Sequence, residues 1–384
     1  MKTRLVRVKD ISQDDEDAWR RLGERALEPN PFAEPDFFIL SARHFESYAD
    51  AKLVIAHEGT EFLGVLPIAS VDTPRLPPRR VASTRANPTQ ITGLHTPLVD
   101  RAHPHQAVDA LLGALGRAAR SEGWPGILLL DEIGSDGPVA ESLLKVCQER
   151  GYPVYVKDSW ERGTVSRAGQ WANPVDGKRR REIRRRQRLL TEEAGAEVVL
   201  VDRSLEPTAC DDFLAMEIAG WKGREGGHAF ARYPNMAEWF REWHRSLVAG
   251  GRATLLSLEA GSHSIAMAYV VRAGEGLFCF RIAFDESFAK YGPGPMLLSS
   301  ALTFLRDSTD ATWFDSMTSK DNSFFLGLLP ERRTLSRLFI GTGGTVDRAL
   351  VSALPAMTKL SAAAHQMQKR LVRAPKKGEA ARSS

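Results

Sequence analysis

Apolar positions recur along this chain at two spacings, and their alternation marks out its elements. In the first half, Leu5–Val8 has the look of a strand, Glu16–Leu27 of a helix, and Phe37, Phe38, Leu40 and Phe45 mark a second helix. Lys52–His57 and Phe62–Ser70 read as strands around His57-Glu58-Gly59-Thr60, a hairpin with glycine at its turn. Pro74–Thr92, rich in Pro, Arg and Thr, reads as a loop or irregular strand. His105–Arg120 places Val108, Leu111, Leu112 and Leu115 on one helical face. Ile127–Leu130 suits a buried strand, Val139–Arg150 a helix and Val154–Lys157 a further strand.

The same order then repeats. After a linker expected at Ser159–Gly177 and a basic helix at 178–194, Glu197–Val201 reads as a strand, and helices follow at about 207–221 and 235–249. The second of these carries Trp239, Phe240, Trp243 and Leu247 on one face. Three strands come next, Ala253–Leu258, Ile265–Val271 and Leu277–Phe284, then a helix at 295–306 and strands at Thr312–Met317 and Thr334–Ile340. Val351–Lys369 has an amphipathic helical pattern, and Arg370–Ser384 is expected to be disordered. The pattern predicts an α/β (α+β) duplication: a first domain over 1–158, a linker over 159–177, a second domain over 178–345 and a helical, basic tail over 346–384.

Composition narrows the class. With 384 residues, 43% hydrophobic and 26% charged, the chain fits two globular domains. No uncharged apolar run approaches the roughly 20 residues that span a bilayer, and Met1–Asp10 lacks a signal-peptide core, so a cytoplasmic protein is expected. Cys147, Cys210 and Cys279 lie far apart and read as buried thiols. The histidines, His228 and His244 among them, show no metal-ligand spacing, and no metal is expected. Residues 1–150 hold 18 basic and 22 acidic side chains, while the remainder holds 34 basic and 26 acidic, so an anionic partner is expected to meet the second half.

The most informative stretch is Leu277–Leu305. An apolar strand runs through Asp285 and Lys290 to Tyr291-Gly292-Pro293-Gly294-Pro295 and an apolar helix. Glycines at a helix start allow close backbone approach, and the free N–H groups and helix dipole favour phosphate. The same residues also fit an ordinary strand-to-helix turn. Trp221 and Lys222 end a helix that also carries Glu217, and they belong either to the core and its C-cap or to the wall of a cleft. Asp315, at a strand end, either caps a loop or orients a substrate. Tyr291 either packs or donates a proton. Eight basic residues over 178–190, from Lys178 to Arg188, form a solvated face or a clamp on an anionic acceptor, acidic lipid heads or RNA. With few aromatics between the arginines, specific DNA recognition is not expected.

This ordered set resembles the N-acetyltransferase (GNAT) fold, and more narrowly the BioF2-like/CelD-like acetyltransferases related to the FemAB aminoacyltransferases. The resemblance covers most of residues 30–342. It is loose at Asn30–Phe37 and Thr96–Val99, and sharper at helix 178–190, Glu217 with Gly220–Gly223, Asp285 with Tyr291–Gly294, and Phe314-Asp315. Where relatives follow the Phe-Asp strand with a Tyr-Lys pair, Ser323-Phe324-Phe325 stands here, and the first half has no glycine loop. The resemblance implies tandem GNAT-like domains, each with a mixed, mostly antiparallel central sheet flanked by helices. It implies acyl transfer from acyl-CoA to an amine or hydroxyl of a small molecule or saccharide. In that reading Gly292, Pro293, Gly294 and Lys290 hold the donor, Glu217, Trp221 and Asp285 bind the acceptor, and Asp315, Lys222 and Tyr291 serve the chemistry. Two alternatives remain: a FemAB-like enzyme using aminoacyl-tRNA, or a non-catalytic binding or scaffold protein of envelope polysaccharide biosynthesis. On any of these readings the expected place is the cytoplasm, either free or peripheral at the membrane.

Overall fold

The structure is a computed structural model and describes residues 1–73, 79–84, 91–172, 174–225, 227–319 and 325–373. In the first half, β1 (Lys2–Arg7), α1 (Gln13–Glu24), α2 (Pro35–His44) and α3 (Glu46–Ala49) precede β2 (Lys52–Glu58), β3 (Glu61–Thr73), β4 (Arg79–Ser83) and β5 (Leu98–Val99). Then come α4 (Pro104–Ser121), β6 (Ile127–Gly134), α5 (Pro138–Arg150) and β7 (Val154–Ser166). The second half opens with α6 (Gly177–Ala194), β8 (Val198–Asp202), α7 (Ala209–Ala219) and α8 (Pro234–Ala249). It continues with β9 (Ala253–Ala260), β10 (His263–Ala273), β11 (Gly276–Phe284), α9 (Pro293–Ser308), β12 (Trp313–Asp315), β13 (Glu331–Gly341) and α10 (Thr345–Arg373).

Local chemistry accounts for the main elements. The Ser12 side chain accepts from the Asp15 N–H at 3.2 Å and caps α1, and Asp176 does the same for α6. The α4 face predicted from spacing is buried, as is the aromatic face of α8. That aromatic face meets α2: the Phe37 ring lies 5.4 Å from both Trp239 and Trp243 in edge-on geometry. One apolar core therefore draws on both halves.

The strands form one continuous sheet in the order β1-β2-β3-β4-β6-β13-β7-β12-β11-β10-β9-β8, with β5 beside β3. Neighbours are antiparallel except β4 with β6 and β11 with β12, which gives the mixed, mostly antiparallel sheet that was expected. At the centre the halves trade their last strands. The last strand of the first half, β7, pairs with β12 of the second, while β13 inserts between β6 and β7.

Two expectations need correction. The linker expected from Ser159 is strand as far as Ser166, so a boundary at 158 falls inside β7. Its polar residues are matched across the sheet rather than by solvent: Asp158 meets Arg337 at 3.4 Å, and Arg162 meets Asp315. The tail helix is longer than its pattern suggested, so Arg370–Arg373 continue α10, while 374–384 lie outside the described residues. Ser323-Phe324 also lie outside them.

Candidate active site

The parallel strands β11 and β12 pair over three positions only, Gly276↔Trp313, Leu277↔Phe314 and Phe278↔Asp315. There β12 ends and β11 runs on to Phe284, held by β10 on its other side. Phe280 is an extra residue in that ladder, since Tyr269 faces Arg281 and Val270 faces Cys279. The edge of β11 left by β12 borders a cavity of about 530 Å³. Its other walls are Trp221, Lys222 and His228 after α7, Gly292–Pro295 at the start of α9, and Ser316–Ser319 after β12. Arg162 of β7 forms part of the floor, and Thr92, Gly93 and Glu132 close it from the first half. The cleft thus needs both halves, and its size suits a small-molecule site.

At one end, Gly292 takes the left-handed conformation (φ 66°) and α9 begins at Pro293. Pro293 loses nothing as a first helical residue. Pro295 also lacks an N–H and the Met296 N–H donates to the Gly292 carbonyl at 3.4 Å, so the Gly294 N–H is the donor this first turn leaves without an intrahelical acceptor. Asp285 does not line the cavity. It accepts from the Ser287 N–H at 2.9 Å and lies 3.0 Å from the His263 ring, which ties down the turn before the glycines. Lys290 is exposed and points to Glu193 at 3.5 Å. Tyr291 lines a separate cavity of about 280 Å³ together with Arg179, Ile183 and Arg186 of α6. Gly292 and Pro295 wall both spaces.

Lys222 sits in the turn after α7. Its Nζ donates to the Ile282 carbonyl of β11 at 2.6 Å and lies 3.4 Å from Glu217 Oε1. Glu217 is buried, accepting from Arg281 Nε at 2.6 Å and from the Phe230 N–H at 2.8 Å. Burial and the nearby Arg281 charge push the Lys222 ammonium down to about 8, with Glu217 opposing. Trp221 is 52% exposed at the mouth, not a core residue. Cys279 faces the cavity, but burial pushes its thiol up to about 12, so it is a poor nucleophile.

Asp315 lies behind the floor rather than on it. It is fully buried, 3.2 Å from Arg333 Nη1 and 3.7 Å from Arg162 Nη1, and accepts from the Met317 N–H at 2.8 Å. Removing its charge takes the near carboxylate from the buried Arg162 and leaves Arg333 with Glu28 alone, at 3.3 Å. Asp315→Asn is therefore expected to cost about 3 kcal/mol or more of stability, read as a fall in the thermal unfolding midpoint. An unchanged midpoint with lost turnover would instead mark Asp315 as an acceptor-orienting group.

Sequence reasoning missed Arg162, Arg281 and the first-half wall. It also missed Glu132 and Met317, both of which line the cavity with positive φ, 51° and 53°. Side chains larger than glycine adopt that conformation at a cost that surrounding structure must meet. Along α6, Ile183 is partly buried and Leu190 fully, while Arg181, Arg184, Arg185 and Arg188 face solvent. Glu182 is held down to about 2 by hydrogen bonds from Arg185 and Arg186. Among the described residues, no cluster of three or more His, Cys, Asp or Glu side chains could hold a metal ion. No helix among them is long and apolar enough to cross a membrane.

Residues 177–324 match the family model described as an acetyltransferase (GNAT) domain. No curated protein matches the chain significantly. Among solved structures, FemX is 12% identical with a TM-score of 0.57, covering 88% of this chain and 97% of that one. The C-terminal domain of a putative lysylphosphatidylglycerol synthetase from Agrobacterium fabrum is 13% identical with a TM-score of 0.54, covering 89% and 95%. A conserved protein of unknown function from Bacteroides thetaiotaomicron is 11% identical with a TM-score of 0.57, covering 86% and 97%. At these identities the likeness is one of fold.

Proposed function

We propose that this chain, which carries a GNAT-type acetyltransferase domain on a FemAB-like fold, transfers an acyl group from acyl-CoA to an amine or hydroxyl of a small molecule or saccharide. The observation that carries this reading is the open edge of β11 leading to Gly292–Pro295. A donor lying along that edge would put its phosphates at the start of α9 and its thioester beside Cys279–Ile282. The acceptor heteroatom would attack the thioester carbonyl carbon, the C–S bond would break, and the sulfur would leave as thiolate. Backbone N–H groups of β11 would meet the oxyanion. Lys222, with its ammonium pushed to about 8, is suited to take the acceptor proton in its neutral form. Glu217 would act through Lys222 and Arg281 as a positioning residue. Holding both reactants in one cleft makes the attack effectively unimolecular.

The test is direct: native mass spectrometry with a panel of acyl-CoAs, followed by thiol release on adding amine and sugar acceptors. Failure to bind any acyl-CoA would remove the donor from this reading.

A second donor, aminoacyl-tRNA, is favoured by one observation, the arginines of α6. Affinity built on many phosphates falls by about 0.7 log units per log unit of salt for each phosphate on a single strand. Arg180, Arg184 and Arg185 do not line the cleft, whereas Arg186 and Arg179 flank the second cavity. Changing the first three together to Gln is expected to leave the acyl-CoA dissociation constant within a few-fold. Submicromolar, aminoacylation-dependent tRNA binding at physiological salt that this change removes would reverse the assignment.

A further inference from the structure

We propose that Arg162, on the floor of the cleft, binds a carboxylate carried by the acceptor, so that the substrate is an amino or hydroxy acid or an acidic sugar. This rests on the acyl-transfer reading above. Arg162 is 1% exposed in its side chain yet forms part of the cavity wall. A guanidinium has five N–H donors, and buried donors ordinarily all find acceptors. Among the described residues, Nε donates to the Thr318 carbonyl at 3.0 Å and Nη1 reaches the Met317 sulfur, a weak acceptor, at 3.6 Å. The paired carboxylate, Asp315, lies 3.7 Å away, beyond hydrogen-bond distance, and is nearer to Arg333. Nη2 has no acceptor among these groups, and the first-half wall comes close to it: a Cβ on Gly93 would lie 3.8 Å away.

The other cations of the cleft are better matched. Arg281 has Glu217 at 2.6 Å, and Lys222 has Glu217 and the Ile282 carbonyl. Burial, with the Arg333 charge beside it, holds Arg162 below its usual range although Asp315 and Glu132 oppose, so an anion bonded to Nη2 would relieve part of the cost of burying the cation. The planar fork of a guanidinium fits a carboxylate in two parallel bonds. The Glu132 carboxylate, which faces the same cavity and already offsets part of the Arg162 charge, opposes a dianionic phosphate more than a monoanion. Anchored at the floor, an acid would present its amine or hydroxyl toward β11.

The experiment uses the full chain and matched probes: alanine with alaninamide, and glucuronate with glucuronamide. Binding is followed by ligand-observed saturation-transfer NMR. The acids are expected to bind at least about tenfold more tightly than the amides, the range of one charge-assisted contact. Arg162→Gln should erase the preference, and Arg162→Lys should keep part of it. Acyl-CoA affinity of Arg162→Gln, measured by calorimetry, should stay within a few-fold of wild type. Equal binding of acids and amides, no binding of either acid, or a preference that survives in Arg162→Gln would overturn the proposal. The wild-type comparison needs no variant, so it decides the matter even if Arg162→Gln does not fold. A chain that binds the acids but no acyl-CoA would sink the donor reading and leave this site standing.

Discussion

Replacing Gly294 with Trp is expected to raise the acyl-CoA dissociation constant by about a hundredfold or more, a loss of about 3 kcal/mol, with the far-UV dichroism intact. Gly294 lines the cleft as the second residue of α9. It lies within the helix and not at a positive φ, so the backbone accepts a side chain there, unlike Gly292 at 66°. An indole at that position would stand where, on the proposed reading, donor phosphates approach the Gly294 N–H at the positive end of the helix. Dispersion and charge-assisted bonds at that surface would be lost together. Calorimetric titration with CoA and acetyl-CoA checks the result. A folded variant that binds normally would rule out the start of α9 as the phosphate site.

Lys222→Ala is expected to lower turnover by about a hundredfold to ten-thousandfold, the usual range for one general base, with little change in donor affinity. On the proposed reading the base in the wild type is the neutral Lys222 amine, so kcat/KM should rise with pH and level off above about 8. The variant should lose that limb of the profile. Glu217 would remain bonded to Arg281 and to the Phe230 N–H, so the wall around the missing amine should hold its shape. A variant with full turnover, or with an unshifted pH limb, would assign the proton to water or to another group.

Much of the fold was legible because its helices carry strong apolar faces. The stripes of α4 and α8 are visible at helical spacing, and the hairpin turn at Gly59 marks β2 and β3. The strand β7 was not legible beyond Lys157, because Asp158, Glu161 and Arg162 look like solvent-exposed linker residues. Their partners lie far along the chain: Arg337 for Asp158 and Asp315 for Arg162, brought beside them by strand pairing. The site divided in the same way. Gly292, Gly294, Trp221 and Lys222 announced themselves by local spacing, and the structure brings them to one cavity. Asp285, Lys290 and Tyr291 share that local neighbourhood but face other groups. Arg162, Glu132 and Thr92 carry no local signal, since only the meeting of the two halves puts them there.

The trade of last strands has a consequence during synthesis. A nascent chain leaves the ribosome from its N-terminus, at about 5–20 residues per second. When β6 has emerged, the strand that covers its open edge, β13, is still some 200 residues from being made. The first half must therefore wait with an apolar strand edge uncovered for about ten seconds or more at that rate. Such edges recruit foreign strands. The charged residues of the unmatched β7 and the early docking of α4 onto β2 and β3 would act as guards in that interval. Closure of the sheet would then await β13, which pairs with both β6 and β7, so the two halves would be expected to mature together rather than as independent beads.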